Sequence, residues 1–122
     1  MNTTVCIIDG DPAVRDSLAT MVGLTGHEAR TFATGGEFLS QADADKQQCV
    51  VCKADLPDTS GIDVFKAVRQ KNPEAHFALL VSRTSDGIAA QASRLGIDHV
   101  FFKPLVNRRL IAFVSELDKP PR

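Results

Sequence analysis

Short apolar runs alternate with segments of helical period along this chain. The runs lie at residues 5–8, 29–32, 49–52, 77–81 and 100–102. Most are apolar without a polar alternation, which predicts strands buried on both faces of a parallel sheet. The second carries charge at Glu28 and Arg30 and is the expected edge strand. Helical segments fill the gaps. Val14, Leu18, Met21 and Val22 make one apolar face, as do Ile62, Phe65 and Val68, and again Leu110, Phe113, Val114 and Leu117. Asp11-Pro12 opens the first helix, because Asp caps an N-terminus and Pro suits the first turn. Thr34 with Glu37, and Ser60 with Asp63, have the spacing of capping boxes. Gly26 and Gly96 stand where helix ends need a left-handed residue.

The product is an α/β chain of five strand–helix units, with a parallel sheet and helices on both faces. In such open sheets, function gathers beyond the carboxyl ends of the strands. Those ends here are Asp9-Gly10-Asp11, Lys53-Ala54-Asp55, Ser82-Arg83-Thr84 and Lys103-Pro104. A sheet ordered 2-1-3-4-5 would bring Asp9, Lys53, Ser82 and Lys103 to one crevice. Polar residues at strand ends are also what the start of any loop produces. That accounts for each residue singly, but poorly for Asp-x-Asp-Pro after the first strand together with Lys-Pro after the last.

Composition narrows the function classes. With 122 residues, 43% hydrophobic and 24% charged, the chain fits one globular domain, taken as 1–117 with a short tail at 118–122. The net charge of -1 and the absence of a basic cluster beyond Arg108-Arg109 argue against a nucleic-acid or membrane surface. No segment resembles a signal peptide or a membrane span, so a cytoplasmic setting is expected. Cys49 and Cys52 have C-x-x-C spacing, but three residues along a strand place them on opposite faces, where they cannot share a metal or a bond. His27, His76 and His99 lie far apart, and no pair has ligand spacing on one element. Gly35-Gly36 before a helix is a weak phosphate-binding signal.

Several segments together make the chain resemble the response-regulator receiver family, whose fold is the flavodoxin-like 2-1-3-4-5 sheet. They are Ile7-Ile8-Asp9-Gly10-Asp11-Pro12-Ala13-Val14-Arg15, Leu56-Pro57-Asp58-Thr59-Ser60-Gly61, Val81-Ser82, and Gly96 through Lys103-Pro104. The first helix and Thr31-Phe32-Ala33-Thr34 look most like receivers that precede a helix-turn-helix output domain. The resemblance implies an acceptor aspartate ending the third strand, an acidic pair holding Mg²⁺ after the first, and a hydroxyl and a Lys meeting the phosphoryl oxygens. Transferred charge must be met by fixed cations and donors.

Measured on that pattern, the site is degenerate. Counting back from Pro57-Asp58-Thr59-Ser60-Gly61, the acceptor position is Lys53, and an ammonium cannot form an acyl phosphate. Gly10 replaces one member of the acidic pair. Asp9 matches the other, and Asp11 is expected to cap a helix. Val100 stands where an aromatic residue is expected, whereas Ser82, Lys103 and Pro104 match, with Pro104 the candidate for a cis peptide bond. Mg²⁺ binding is expected to be weak or lost, with Lys53 paired to Asp9 near the vacated position and no other cofactor or metal.

The expected function is therefore non-enzymatic signalling by protein contact. The contact is with a partner (a histidine kinase or an output domain among the candidates) or with a second copy. The resemblance places it on the face formed by 85–95, His99–Phe102 and 105–117. One alternative is an active acceptor using Asp55. Another is a small-anion sensor between Lys53, Ser82 and Lys103.

Overall fold

The computed structural model describes residues 4–41, 48–81, 87–97, 99–102 and 113. Five strands form one parallel sheet in the order β2-β1-β3-β4-β5: β1 (Thr4–Ile8), β2 (Ala29–Phe32), β3 (Gln48–Lys53), β4 (His76–Val81) and β5 (His99–Phe102). The described helices are α1 (Pro12–Leu24), α2 (Gly35–Gln41), α3 (Gly61–Lys71) and α4 (Ile88–Leu95). The order is the one expected, and charged β2 is indeed an edge.

Alternation along each strand sorts the core into two layers. Val5 and Ile7, Cys49 and Val51, and Ala78 and Leu80 pack with Leu18 and Val22 of α1 and with Phe113. Cys6 and Ile8, Val50 and Cys52, and Phe77, Leu79 and Val81 face α2, α3 and α4 through Phe38, Ile62, Val64, Phe65, Val68 and Ala92. Because both faces are covered, the strands read as unbroken apolar runs. Cys49 and Cys52 fall in different layers, and all three cysteines are free and buried. Burial pushes the Cys6 thiol up to about 11, with Arg30 opposing weakly, and raises Cys52 further.

The end signals act as local chemistry predicts. Asp11 Oδ1 accepts from the Ala13 N–H at 2.9 Å with Pro12 opening α1. Thr34 Oγ1 accepts from the Glu37 N–H at 3.0 Å, and Ser60 Oγ from the Asp63 N–H at 3.1 Å. Gly96 ends α4 at φ 83° and Gly26 follows α1 at φ 85°, a region L side chains avoid. Of the expected C-terminal helical stripe only Phe113 is among the described residues. It is buried, with its ring 4.5 Å from that of His99. Leu110, Val114, Leu117 and the tail lie outside them.

Candidate functional site at the carboxyl edge of the sheet

The site grows out of the ends of the two central strands. β1 and β3 run in register through Ile8 and Cys52, so the next step brings Asp9 beside Lys53, on strands about 4.8 Å apart. Asp9 is fully buried, and its backbone N–H continues the ladder to the Phe32 carbonyl at 3.1 Å. Its Oδ1 accepts from the Asp11 N–H at 2.9 Å, which folds the carboxylate back onto its own loop. The Arg15 guanidinium, one turn into α1, donates to the Asp9 carbonyl at 2.7 Å.

Lys53 is half-buried at the end of β3, opposite Leu80 of β4. The expected ion pair with Asp9 is not among the bonds of the described residues. The register makes the two neighbours along the sheet edge, but Asp9 turns into the β1–α1 loop. A half-buried lysine meanwhile keeps water within reach of its ammonium.

Beyond Lys53 the chain makes a small antiparallel hairpin. Asp55 bridges Ser60, and the Leu56 N–H donates to the Thr59 carbonyl at 3.1 Å. The hairpin is pinned at its base by Gly61, whose N–H donates to the Ala54 carbonyl at 2.8 Å. A Cβ at Gly61 would meet the Lys53 carbonyl oxygen at 2.5 Å and Leu79 Cδ1 at 2.7 Å, so only glycine fits there. At the tip, Asp58 Oδ1 accepts from the Gly35 N–H at 3.1 Å and Oδ2 from the Gly36 N–H at 2.8 Å. The Gly36 N–H foremost, helped by those of Gly35 and Asp58 itself and opposed by desolvation, holds the Asp58 carboxyl below the usual aspartate range. The Gly35-Gly36 amides are thus occupied by a carboxylate of the same chain. Asp58 thereby ties two loops together. Sequence reasoning also passed over Arg15 as a neighbour of the site.

Among the candidate residues the structure brings Asp9, Gly10, Asp11 and Lys53 to one edge. Asp11 and Gly10 are exposed. Ser82, Lys103 and Pro104 lie outside the described residues. Asp55 is exposed, two residues beyond Lys53. Among the described residues no group of three His, Cys, Asp or Glu is placed to hold a metal ion, and no helix is long and apolar enough to cross a membrane.

The chain matches the model of the response regulator receiver domain over residues 5–115. The chain belongs to the receiver family. Its relatives include the transcriptional regulatory protein PrrA of Mycobacterium tuberculosis, 28% identical over 93% of this chain and 48% of that protein. The FixJ protein of Azorhizobium caulinodans is 30% identical over 90% and 52%. The chain thus spans about half the length of the curated relatives it matches. Among solved folds, a CheY-like receiver from Methanospirillum hungatei superposes with a TM-score of 0.84 at 22% identity, covering 95% of this chain and 93% of that one. DrrB of Thermotoga maritima gives 0.84 at 24% identity over 95% and 52%. The likeness to these solved structures speaks for the fold, and the family match for the receiver assignment.

Proposed function

We propose that this receiver signals without accepting a phosphoryl group and works through contacts with another protein. The observation that carries the reading is Lys53. It ends the central strand of the sheet, where the receiver pattern has its acceptor aspartate. A lysine there supplies no carboxylate for an acyl phosphate. The names of its relatives, transcriptional regulatory proteins of bacteria, support a cytoplasmic signalling route that ends in transcription. A histidine kinase, an output domain or a second copy would be the partner.

The donor set fits Mg²⁺ poorly. That ion takes near-octahedral oxygen coordination, often through carboxylates. Asp9 Oδ1 already accepts a backbone N–H, Asp11 Oδ1 caps α1, Gly10 has no side-chain oxygen, and Lys53 adds a positive charge to the same edge. No step of the proposed function uses a metal.

Intact mass after incubation with acetyl phosphate and Mg²⁺ tests the reading, with a phosphorylatable receiver as control. The expected result is an unchanged mass at every time point, sampled fast enough to catch a short-lived adduct. A phosphoryl adduct overturns the reading, and locating it would show whether Asp55 serves as the acceptor.

A further inference from the structure

The β2 edge of the sheet carries two charges, Glu28 and Arg30, and they are opposite in sign. The Glu28 carbonyl accepts from the Val5 N–H at 2.8 Å, and the Phe32 carbonyl from the Asp9 N–H at 3.1 Å. Every second residue thus turns its backbone groups to β1, and those of Ala29 and Thr31 turn outward, where the sheet ends. Side chains alternate as well. Arg30 shares a face with Phe32, its guanidinium 5.5 Å from that ring, and Glu28 falls on the same face by parity. Both charged residues are exposed. The end of α1 lies at the same corner, because Thr25 Oγ1 is hydrogen-bonded to His27 Nδ1 at 2.8 Å. Leu24, just before it, is 78% exposed. It adds apolar surface on the other face of the edge, where α1 packs with Ala29.

We propose that the β2 edge pairs with the β2 edge of a second copy of this chain, antiparallel about Ala29, so that one sheet runs through both copies. The occupant follows from charge complementarity. An edge whose charges are alike repels its own copy. Here a two-fold rotation about Ala29 sets Glu28 of each copy opposite Arg30 of the other, with Cβ atoms about 4.5–5.5 Å apart. The outward groups of Ala29 then meet their own counterparts across the axis. Pairing about Arg30 would instead set arginine against arginine, which destabilises. Pairing about Thr31 would leave both charges without an opposite. The charge pattern therefore selects one register. The inference rests on the reading that this domain works by protein contact, and it names the partner and the place. That place is across the sheet from β5, the strand of the face that the family resemblance implied.

Sedimentation equilibrium over a dilution series tests the pairing, on the wild type, Glu28→Arg, Arg30→Glu and the double exchange Glu28→Arg/Arg30→Glu. The wild type should pass from monomer to dimer as concentration rises. Each single reversal sets like charges opposite twice over and should raise the dissociation constant about tenfold or more. The double exchange restores opposite charges and should dimerise as the wild type does. An equimolar mixture of the two single variants should form the heterodimer, since each then presents what the other lacks. A wild type that stays monomeric at the highest concentration overturns the proposal. So does a dimer indifferent to the single reversals, which would lie on another face, or a loss that neither the double exchange nor the mixture repairs. A phosphoryl adduct in the mass experiment would instead remove the functional reading and leave the dimer standing, so the two failures are distinguishable.

Discussion

The Asp58 carboxylate sits 2.8 Å from the amide nitrogen of Gly36, 22 residues earlier in the chain. A carboxyl bound to backbone N–H groups titrates below its ordinary value, as Asp58 does. A lowered folded-state value fixes the sign of the pH effect. The stabilisation is complete above the unfolded aspartate value of about 3.9, and it is lost as pH falls through the lower folded value. The Asp58 carboxyl carbon and the Gly36 amide should therefore share one NMR titration midpoint below the usual aspartate range. In Asp58→Asn the amide should show no such titration. Independent midpoints would mean that the contact does not persist in solution. Because the carboxylate is exposed, added salt should weaken the effect.

Asp9 and Lys53 are neighbours by register, and Lys53 is half-buried, which sets the expected cost of removing the lysine. Breaking a buried ion pair costs roughly 3–5 kcal/mol, whereas half-exposed charges contribute about 0–1 kcal/mol. Lys53→Ala should shift stability by no more than about 1 kcal/mol, read from urea denaturation midpoints. A loss several times larger would show that the ammonium does neutralise Asp9.

The parts of the fold that were legible in sequence are those that local physics specifies. Val5 to Ile8 and Phe77 to Val81 are buried on both sides, so they read as strands without periodicity. Arg30 marks the edge, where one flank of the strand meets water. Asp11-Pro12, Thr34 and Ser60 announce helix starts because each bonds an amide two or three residues on. The contacts that shape the site are not local. Gly36 and Asp58 are 22 residues apart, and the contact of Arg15 with the Asp9 carbonyl depends on how α1 leaves its loop. The Gly35-Gly36 pair was a visible signal with an ambiguous cause. Glycines admit close approach of any group, and here that group is a carboxylate and a threonine methyl rather than a phosphate.

Three glycines should rank in a definite order when replaced by alanine. At Gly61 the new methyl would collide with the Lys53 carbonyl at 2.5 Å, and backbone cannot step aside. Overpacking of that kind costs about 1–3 kcal/mol and sometimes more, so Gly61→Ala should be the most damaging. At Gly35 the obstacle is Thr59 Cγ2, a side-chain atom that can rotate, and the loss should be smaller. Gly23 lies within α1 with nothing within 4 Å of its added methyl. There alanine should stabilise by up to about 1 kcal/mol through helix propensity. Equilibrium denaturation of the three variants checks the order. An equal loss at Gly61 and Gly35 would contradict the close approach to β3.

Placing carboxylates at Gly10 and Lys53, the two positions on which the proposed reading turns, tests that reading from the opposite direction. Gly10 is not in the left-handed region, and a Cβ there would touch Pro57 Cγ at 3.4 Å and Pro57 Cδ at 3.5 Å, which is ordinary contact. Gly10→Asp is therefore sterically admitted, and Lys53→Asp removes a half-buried cation without filling new space. The double variant places two new carboxylates beside buried Asp9, so without a divalent cation it should be less stable than the wild type through like-charge repulsion. Mg²⁺ should restore stability, by about 2.7 kcal/mol at a concentration 100 times its dissociation constant, while leaving the wild-type melting temperature unmoved. Acetyl phosphate with Mg²⁺ should then add one phosphoryl group to the double variant, and much less to Lys53→Asp, which lacks the second carboxylate. If the double variant neither responds to Mg²⁺ nor gains a phosphoryl group, the loss of acceptor chemistry extends beyond Gly10 and Lys53. The remaining cause would then have to be sought elsewhere along the carboxyl edge, where Pro57 of the β3–α3 hairpin lies against Gly10.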